Sequence, residues 1–244
     1  DPVFDNAAPV PFAVPRFQDA PVTLEQLPEI DLILISHDHY DHLSRAAICH
    51  FVGRDIRFLV PLGVSSYLVG WGVDPERITE MDWWEEHTVD DILFACTPAQ
   101  HFSGRTGPKG NKTLWASWVI AAEEQKAYFS GDSGYDIHFS EIGTRYGPFN
   151  ITFMEDGQYN PMWYMSHLFP KETVQAHLDL KGQKMQPIHM GVFALAFHDW
   201  DEPIKEVLRL GKEREIDVVL PKLGEIVHVD EWSAEQSWYP MSQE

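Results

Sequence analysis

Cysteine, basic residues and long apolar runs are all scarce in this 244-residue chain. Two cysteines, Cys49 and Cys96, with no Cys-x-x-Cys pair, exclude a disulfide framework. Both stand among apolar neighbours and are expected to be buried free thiols, in keeping with a reducing compartment. Lysine and arginine number 18 against 38 acidic residues, a formal charge of −20. Such a balance argues against nucleic-acid binding and against docking on an anionic membrane through a basic face. No stretch approaches the roughly 18 apolar residues of a transmembrane segment. An initiating methionine is also missing, since the chain opens Asp1-Pro2-Val3. A removed or omitted targeting segment therefore remains open, and a cytoplasmic location is the expectation.

What is present is the composition of a folded protein: 44% hydrophobic and 13% aromatic residues, which excludes general disorder. Residues 1–29 are rich in proline (Pro2, Pro9, Pro11, Pro15, Pro21, Pro28) and read as a packed surface loop. Beyond them strands and helices alternate. Strands are expected at 31–36, 56–60, 92–97, 114–121, 127–130, 151–154 and 185–189, with closing strands at 218–220 and 226–229. Helices are expected at 45–52, 63–70, 171–180 and 203–214. Glu123-Glu124-Gln125 reads as a hairpin turn. Mixed elements of this kind form sheets covered by helices, an α/β (α+β) class. With no repeat, low-complexity tract or linker, residues 1–244 read as one domain.

Chemistry concentrates after the first strand. His37-Asp38-His39-Tyr40-Asp41-His42 packs three imidazoles and two further carboxyl groups into six positions. In an extended stretch side chains two apart point the same way, so His37 and His39 can grip one ion. The turning chain then presents Asp41 and His42 to a second. Imidazole suits zinc and other borderline divalent ions, while carboxylate suits harder ones. One cluster cannot fill two coordination spheres, so further ligands should end later strands. The candidates are His101 after 92–97, Asp132 after 127–130, and His189 at the end of 185–189.

With these residues in place the chain resembles the metallo-β-lactamase superfamily, whose fold is a four-layer αβ/βα sandwich. The resemblance implies that His37, His39 and His101 bind one metal, that Asp41, His42 and His189 bind another, and that Asp132 bridges them. Ser36 to Leu43, Thr97 to His101, Leu114 to Trp118, Gly131 to Tyr135 and Gly191 to Leu195 look further like the branch of N-acyl-phosphatidylethanolamine-hydrolysing phospholipase D and its bacterial relatives. His167 matches a non-ligand histidine near that site, placed to protonate a leaving group or hold a phosphoryl oxygen. The superfamily's first strands are absent before the turn at Asp1 to Phe4. An N-terminally incomplete domain would leave a sheet edge open, inviting a dimer or a swapped homo-oligomer.

The expected chemistry is hydrolysis by a water shared between two divalent ions, with zinc the default and manganese or iron compatible by ligand type. Asp132 or Asp41 would orient that water and accept its proton. The leading substrate is a small molecule or lipid-derived phosphodiester. A lactonase or thioesterase with the same metals is the alternative, and a metal-binding domain without turnover is the alternative of another class. A nuclease is disfavoured by the charge, and a true β-lactamase by Asp132 standing where many of those enzymes carry cysteine. Around the site, Ser133 is a candidate partner for a metal ligand. Met162, Trp163, Tyr164, Met165, Leu168 and Phe169 form either an apolar substrate wall or ordinary packing. Arg105, Lys109 and Lys112 read as solvated loop charges, with steering of an anionic substrate as the other option. Glu155 and Asp156 would repel a phosphodiester unless they bind a cationic head group or face away. His50, His87, His138, His177, His198 and His228 are assigned to structure or surface.

Overall fold

The computed structural model describes residues 1–10, 13–105, 110–123, 125–232 and 238–239. Pro11, Glu124 and Lys109 lie outside these described residues. Three parallel strands, β1 (Leu32–Leu34), β2 (Arg57–Pro61) and β3 (Ile78–Met81), make a small sheet. The larger sheet holds β4 (Glu86–Val89), β5 (Ile92–Thr97), β6 (Ser117–Ala122), β7 (Gln125–Phe129), β8 (Phe149–Glu155), β9 (Gly182–Ile188) and β10 (Asp217–Val218). Its spatial order is β10-β9-β8-β7-β6-β5-β4. The helices are α1 (Arg45–Phe51), α2 (Ser65–Gly70), α3 (His138–Arg145), α4 (Pro170–Asp179) and α5 (Glu202–Glu213).

Strand alternation explains the layering. Ile33, Ile35, Phe58 and Val60 turn one way and pack with Ile48, Phe51, Val64 and Leu68 of the α1–α2 side. Their neighbours Leu32, Leu34 and Leu59 turn the other way, onto Phe94, Cys96 and Trp118 of the large sheet. That sheet's opposite face, with Val119, Tyr128 and Met185, packs against Phe139, Ile142, Val174 and Val207 of α3, α4 and α5. Three apolar interfaces thus separate four layers, as the αβ/βα fold requires. Trp118, fully buried, ties the two sheets by donating its indole N–H to the Ile35 carbonyl at 3.0 Å.

Some elements depart from the sequence reading. β3, β4 and α3 carry weak patterns: Thr79, Glu80, Glu86 and Thr88 interrupt the apolar periodicity, and Gly143 interrupts α3. Gly143 is required there because a Cβ would come within 2.1 Å of the Asp179 carbonyl oxygen where α3 crosses the end of α4. The expected closing strand at 226–229 is no strand; Ile226 is 90% exposed and pairs with nothing that would bury it. Cys96 is buried as expected, but Cys49 is exposed, because α1 turns Ala47, Ile48 and Phe51 inward and carries position 49 to its outer face.

Candidate metal centre

Strand direction assembles the site. β5 and β7 are each antiparallel to β6, and β7, β8 and β9 are mutually parallel, so β5, β7, β8 and β9 all end on one side of the large sheet. His101, Asp132, Glu155 and His189 come from those four ends. The segment after β1 meets them there, held by hydrogen bonds from Ala116 N to Ser36 O (2.8 Å) and from Leu43 N to His39 O (2.8 Å). Gly131 permits the approach: its φ is 56°, and a Cβ would lie 2.7 Å from Ser36 Cβ and 2.9 Å from Ala116 O. His189 itself takes a left-handed φ of 65°, a local strain of about 1 kcal/mol typical of functional positions.

All seven sequence-predicted metal candidates come together. His37, His39, His101 and Asp132 offer one ligand atom each within 4.8 Å of one another, and so do Asp41, His42, Asp132 and His189. Asp132 belongs to both groups. Its Oδ2 faces His101 Nε2 at 3.6 Å and His37 Nε2 at 3.8 Å, while Oδ1 faces His42 Nε2 at 3.1 Å and His189 Nε2 at 3.4 Å. This carboxylate is 3% exposed, and Oδ1 has no hydrogen-bond partner. Burial alone would raise the pKa of Asp132, but the facing His189 and His42 hold it well below the usual carboxylate range.

The outer faces of the rings settle which nitrogens are free. His101 Nδ1 must donate to the Ser166 carbonyl at 2.9 Å, and His42 Nδ1 lies 2.8 Å from Asp1 Oδ2. A proton placed outside leaves a lone pair inside, the form a metal needs. Burial pushes His37 well down and His101 down to about 3, favouring neutral imidazole. The inner nitrogens then crowd: His39 Nδ1 lies 2.9 Å from His37 Nε2 and 3.2 Å from His101 Nε2, and His42 Nε2 lies 3.2 Å from His189 Nε2. Lone pairs converging without enough protons to share repel, and divalent cations between them relieve this. The donor set therefore fits two divalent ions.

Two roles were missed in the sequence: Asp1 as a partner of His42, and Glu155 as a partner of His167. Asp1 accepts from Ser36 N at 2.6 Å and Ser36 Oγ at 2.6 Å, and so braces His42 from behind. Only its neighbouring turn, not its own spacing, carried any signal. Glu155 is fully buried and hydrogen-bonds His167 Nδ1 and Ser133 N. Asp156 is also fully buried; neither of its oxygens has a hydrogen-bond partner, and burial raises its pKa well above the ordinary value. Neither acid is free in the cleft to repel an anion or to bind a cationic head group. His167 itself lies beside His101, ring centroids 5.1 Å apart, and burial's tendency to lower its pKa is more than offset by Glu155.

Arg105 is not a solvated loop charge. It donates to the carbonyls of Asp38 (2.8 Å) and Leu43 (2.6 Å) and stacks on Tyr40, 4.0 Å from the ring centre. It therefore clamps the segment that carries His37 to His42. Lys112 is exposed. Among the described residues Ser133 hydrogen-bonds none of the seven candidate ligand side chains; its Oγ accepts from Gln100 N at 2.9 Å and its N–H donates to Glu155. The 162–169 segment divides, with Leu168 buried but Met162, Tyr164 and Met165 exposed beside the site. His50, His87, His138, His177, His198 and His228 join none of the metal groups among the described residues.

A model of the β-lactamase superfamily domain matches residues 1–190. An uncharacterised protein of Mycobacterium tuberculosis is 42% identical over 233 residues, 93% of this chain and 62% of that protein. This chain thus spans less than two thirds of that relative's length. N-acyl-phosphatidylethanolamine-hydrolysing phospholipase D 1 of Caenorhabditis elegans is 31% identical over 245 residues, 93% of this chain and 69% of the relative. Among solved structures, the isothiocyanate hydrolase from Delia radicum gut bacteria shares the fold, with a TM-score of 0.70 at 18% identity over 93% of this chain and 90% of that one.

Proposed function

The chain belongs to the β-lactamase superfamily, as a metal-dependent hydrolase related to N-acyl-phosphatidylethanolamine-hydrolysing phospholipases D, and from that premise we propose that it cleaves phosphodiesters, lipid-derived ones above all. The observation that carries this reading is Asp132: buried, with one oxygen turned to each group of imidazoles. When bound, two divalent ions would bring the pKa of a shared water near neutrality and neutralise charge developing on the phosphoryl oxygens. We assign His37, His39 and His101 to one ion, Asp41, His42 and His189 to the other, and Asp132 to both.

The protein's own groups account for the remaining steps. Asp132 and Asp41 orient the attacking water and take up its proton. Two dications, less the charges of Asp41 and Asp132, leave the hollow net positive. At contact distance this outweighs the chain's overall −20, because a pocket screens less than bulk water. Neither Glu155 nor Asp156 presents its carboxylate at the surface of the cleft: both are fully buried, and Glu155 is engaged by His167 Nδ1 and Ser133 N. His167 is placed to serve the leaving oxygen.

A lipid-derived substrate is supported by a cavity of about 470 Å³ whose lining includes His189 together with Ile188, Trp200, Ile204, Leu223 and Trp238. Apolar walls of this size hold a greasy ligand while the polar end orients the reacting bond. Among the described residues no helix is long and apolar enough to cross a membrane.

The test is a substrate panel on metal-replete protein. Hydrolysis of bis-p-nitrophenyl phosphate should exceed that of matched lactones and thioesters. The opposite order would transfer the same metal site to carbon-ester chemistry.

A further inference from the structure

A second cavity, of about 450 Å³, lies beside the segment that carries His37 to His42, and none of the seven candidate metal ligands lines it. Asp38 and Tyr40 do line it. They alternate with His37, His39 and Asp41, so one segment lends successive residues to the cavity and to the metal groups. Three of the chain's 18 basic residues, Arg45, Arg105 and Lys112, also line the cavity, against the carboxyl groups of Asp5 and Asp38. That balance reverses the sign of a chain whose formal charge is −20. The Asp38 carboxylate is buried and already engaged, Oδ1 by Gly104 N at 2.7 Å and Oδ2 by the Tyr67 hydroxyl at 3.1 Å.

Arg105 is held in place by the walls themselves. Its guanidinium carbon stands 4.0 Å from the ring centre of Tyr40, 5.4 Å from that of Trp71 and 5.7 Å from that of Tyr67. Nη1 makes the bonds to the Asp38 and Leu43 carbonyls, so Nε and the two hydrogens of Nη2 are not spent on them. A planar fork of this kind matches the oxygens of a carboxylate or a phosphate. Arg45 and Lys112, both exposed, add two further charges, which favours a dianion over a monoanion. A phosphate group by itself would leave most of the cavity empty, whereas an organic group beside it would meet Tyr67 and Trp71.

We propose that this cavity is a regulatory site for a small phosphate monoester, and that its occupation tightens metal binding. Arg105, Arg45 and Lys112 hold the phosphate, which carries close to two negative charges near neutral pH. Tyr67 and Trp71 face the organic group. Arg105 links the two sites, because one edge of its guanidinium meets the anion while Nη1 grips the carbonyls of Asp38 and Leu43, which bracket His39 to His42. A bound dianion fixes the fork and with it the segment, lowering the ordering cost that metal binding otherwise meets. Linkage requires the reverse by the same factor: metals that order the segment raise the affinity for the monoester. The site stands apart from the phosphodiesterase reading, since binding is read without turnover and no bond is made or broken.

The experiment titrates the zinc-loaded full chain with phenyl phosphate, inorganic phosphate and benzoate by calorimetry at low salt. Wild type is compared with the double variant Arg45→Ala, Lys112→Ala, whose two sites of change are exposed and whose zinc content should match wild type. Wild type should bind phenyl phosphate, and the double variant should bind it about 10- to 100-fold more weakly. Inorganic phosphate, which lacks the ring, and benzoate, which lacks the second charge, should each bind wild type weaker than phenyl phosphate by about 5-fold or more. In competition with a chelator, saturating phenyl phosphate should raise the zinc affinity of wild type about 5-fold or more and leave that of the double variant unchanged. No binding by wild type, or equal binding by wild type and variant, would overturn the site, the second outcome placing the anion on the metal centre. Inorganic phosphate binding as tightly as phenyl phosphate would reduce the site to surface charge, and benzoate doing so would overturn the choice of a phosphate. Unchanged zinc affinity in wild type would overturn the coupling.

Discussion

The two sheets feed the site in different ways. The small sheet supplies His37, His39, Asp41 and His42 on one short segment after β1, whereas the large sheet supplies His101, Asp132, Glu155 and His189 singly, from the ends of four strands. The first contribution is local: neighbours in sequence are neighbours in space, and Arg105 clamps them as a unit. The second is long-range and depends on β5, β7, β8 and β9 all ending on the same side. Strands that share a direction place their carboxyl ends along one edge, which is why sites gather there in sheets of this kind. A local segment concentrates donors; strand ends set the distances between them.

The largest effect should come from the long-range side. Asp132→Ala removes the one carboxylate that faces both groups, so metal content should drop well below the roughly two ions per chain expected of wild type, and turnover by about 10²–10⁴-fold. Elemental analysis of the purified variant checks this, and normal metal content would show that the strand-end carboxylate does not join the two groups. An intermediate effect is expected on the local side. Arg105→Lys keeps the charge but loses the planar fork and its stacking on Tyr40, which should cost about 2 kcal/mol and weaken binding of both ions together. Thermal unfolding and metal titration would measure both; unchanged values would mean the segment holds its shape without a clamp.

The smallest effect concerns a buried histidine away from both contributions. His177 of α4 bonds Thr152 Oγ1 of β8 at 2.8 Å, and burial pushes its pKa down to about 4 from 6.5. Because the unfolded chain binds the proton more readily, the stabilisation tied to neutral His177 is complete above about pH 6.5 and is lost as pH falls through about 4. In metal-free protein, His177→Gln should flatten the slope of unfolding free energy against pH in that window. An unaltered slope would assign the acid sensitivity to the site histidines instead.

Much of the site was legible because strand-then-ligand patterns are local signals. His101, Asp132 and His189 each follow an apolar run that folds as a strand. What stayed hidden had its cause elsewhere in the chain. Glu155 read as an acid that repels a phosphodiester, binds a cationic head group or faces away, because nothing adjacent shows that His167, twelve positions on, folds back onto it. Arg105 looked solvated because its partners, Asp38 and Leu43, lie more than sixty positions away. Gly143 argued against a helix, although the crossing of α3 over the end of α4 demands it.

By itself the sequence determined the αβ class, the apolar alternation that makes four layers, and the types of donor available for metal. Those follow from side-chain chemistry and from periodicities that act over a few residues. Only the tertiary structure decided that Asp132 faces both imidazole groups, that Asp1 braces His42, and that Glu155 bonds His167 while Asp156 is buried without a partner. The physical reason is distance along the chain: hydrogen bonds and charge pairs depend on ångström separations, and strand direction and packing set those separations between site residues up to 148 positions apart.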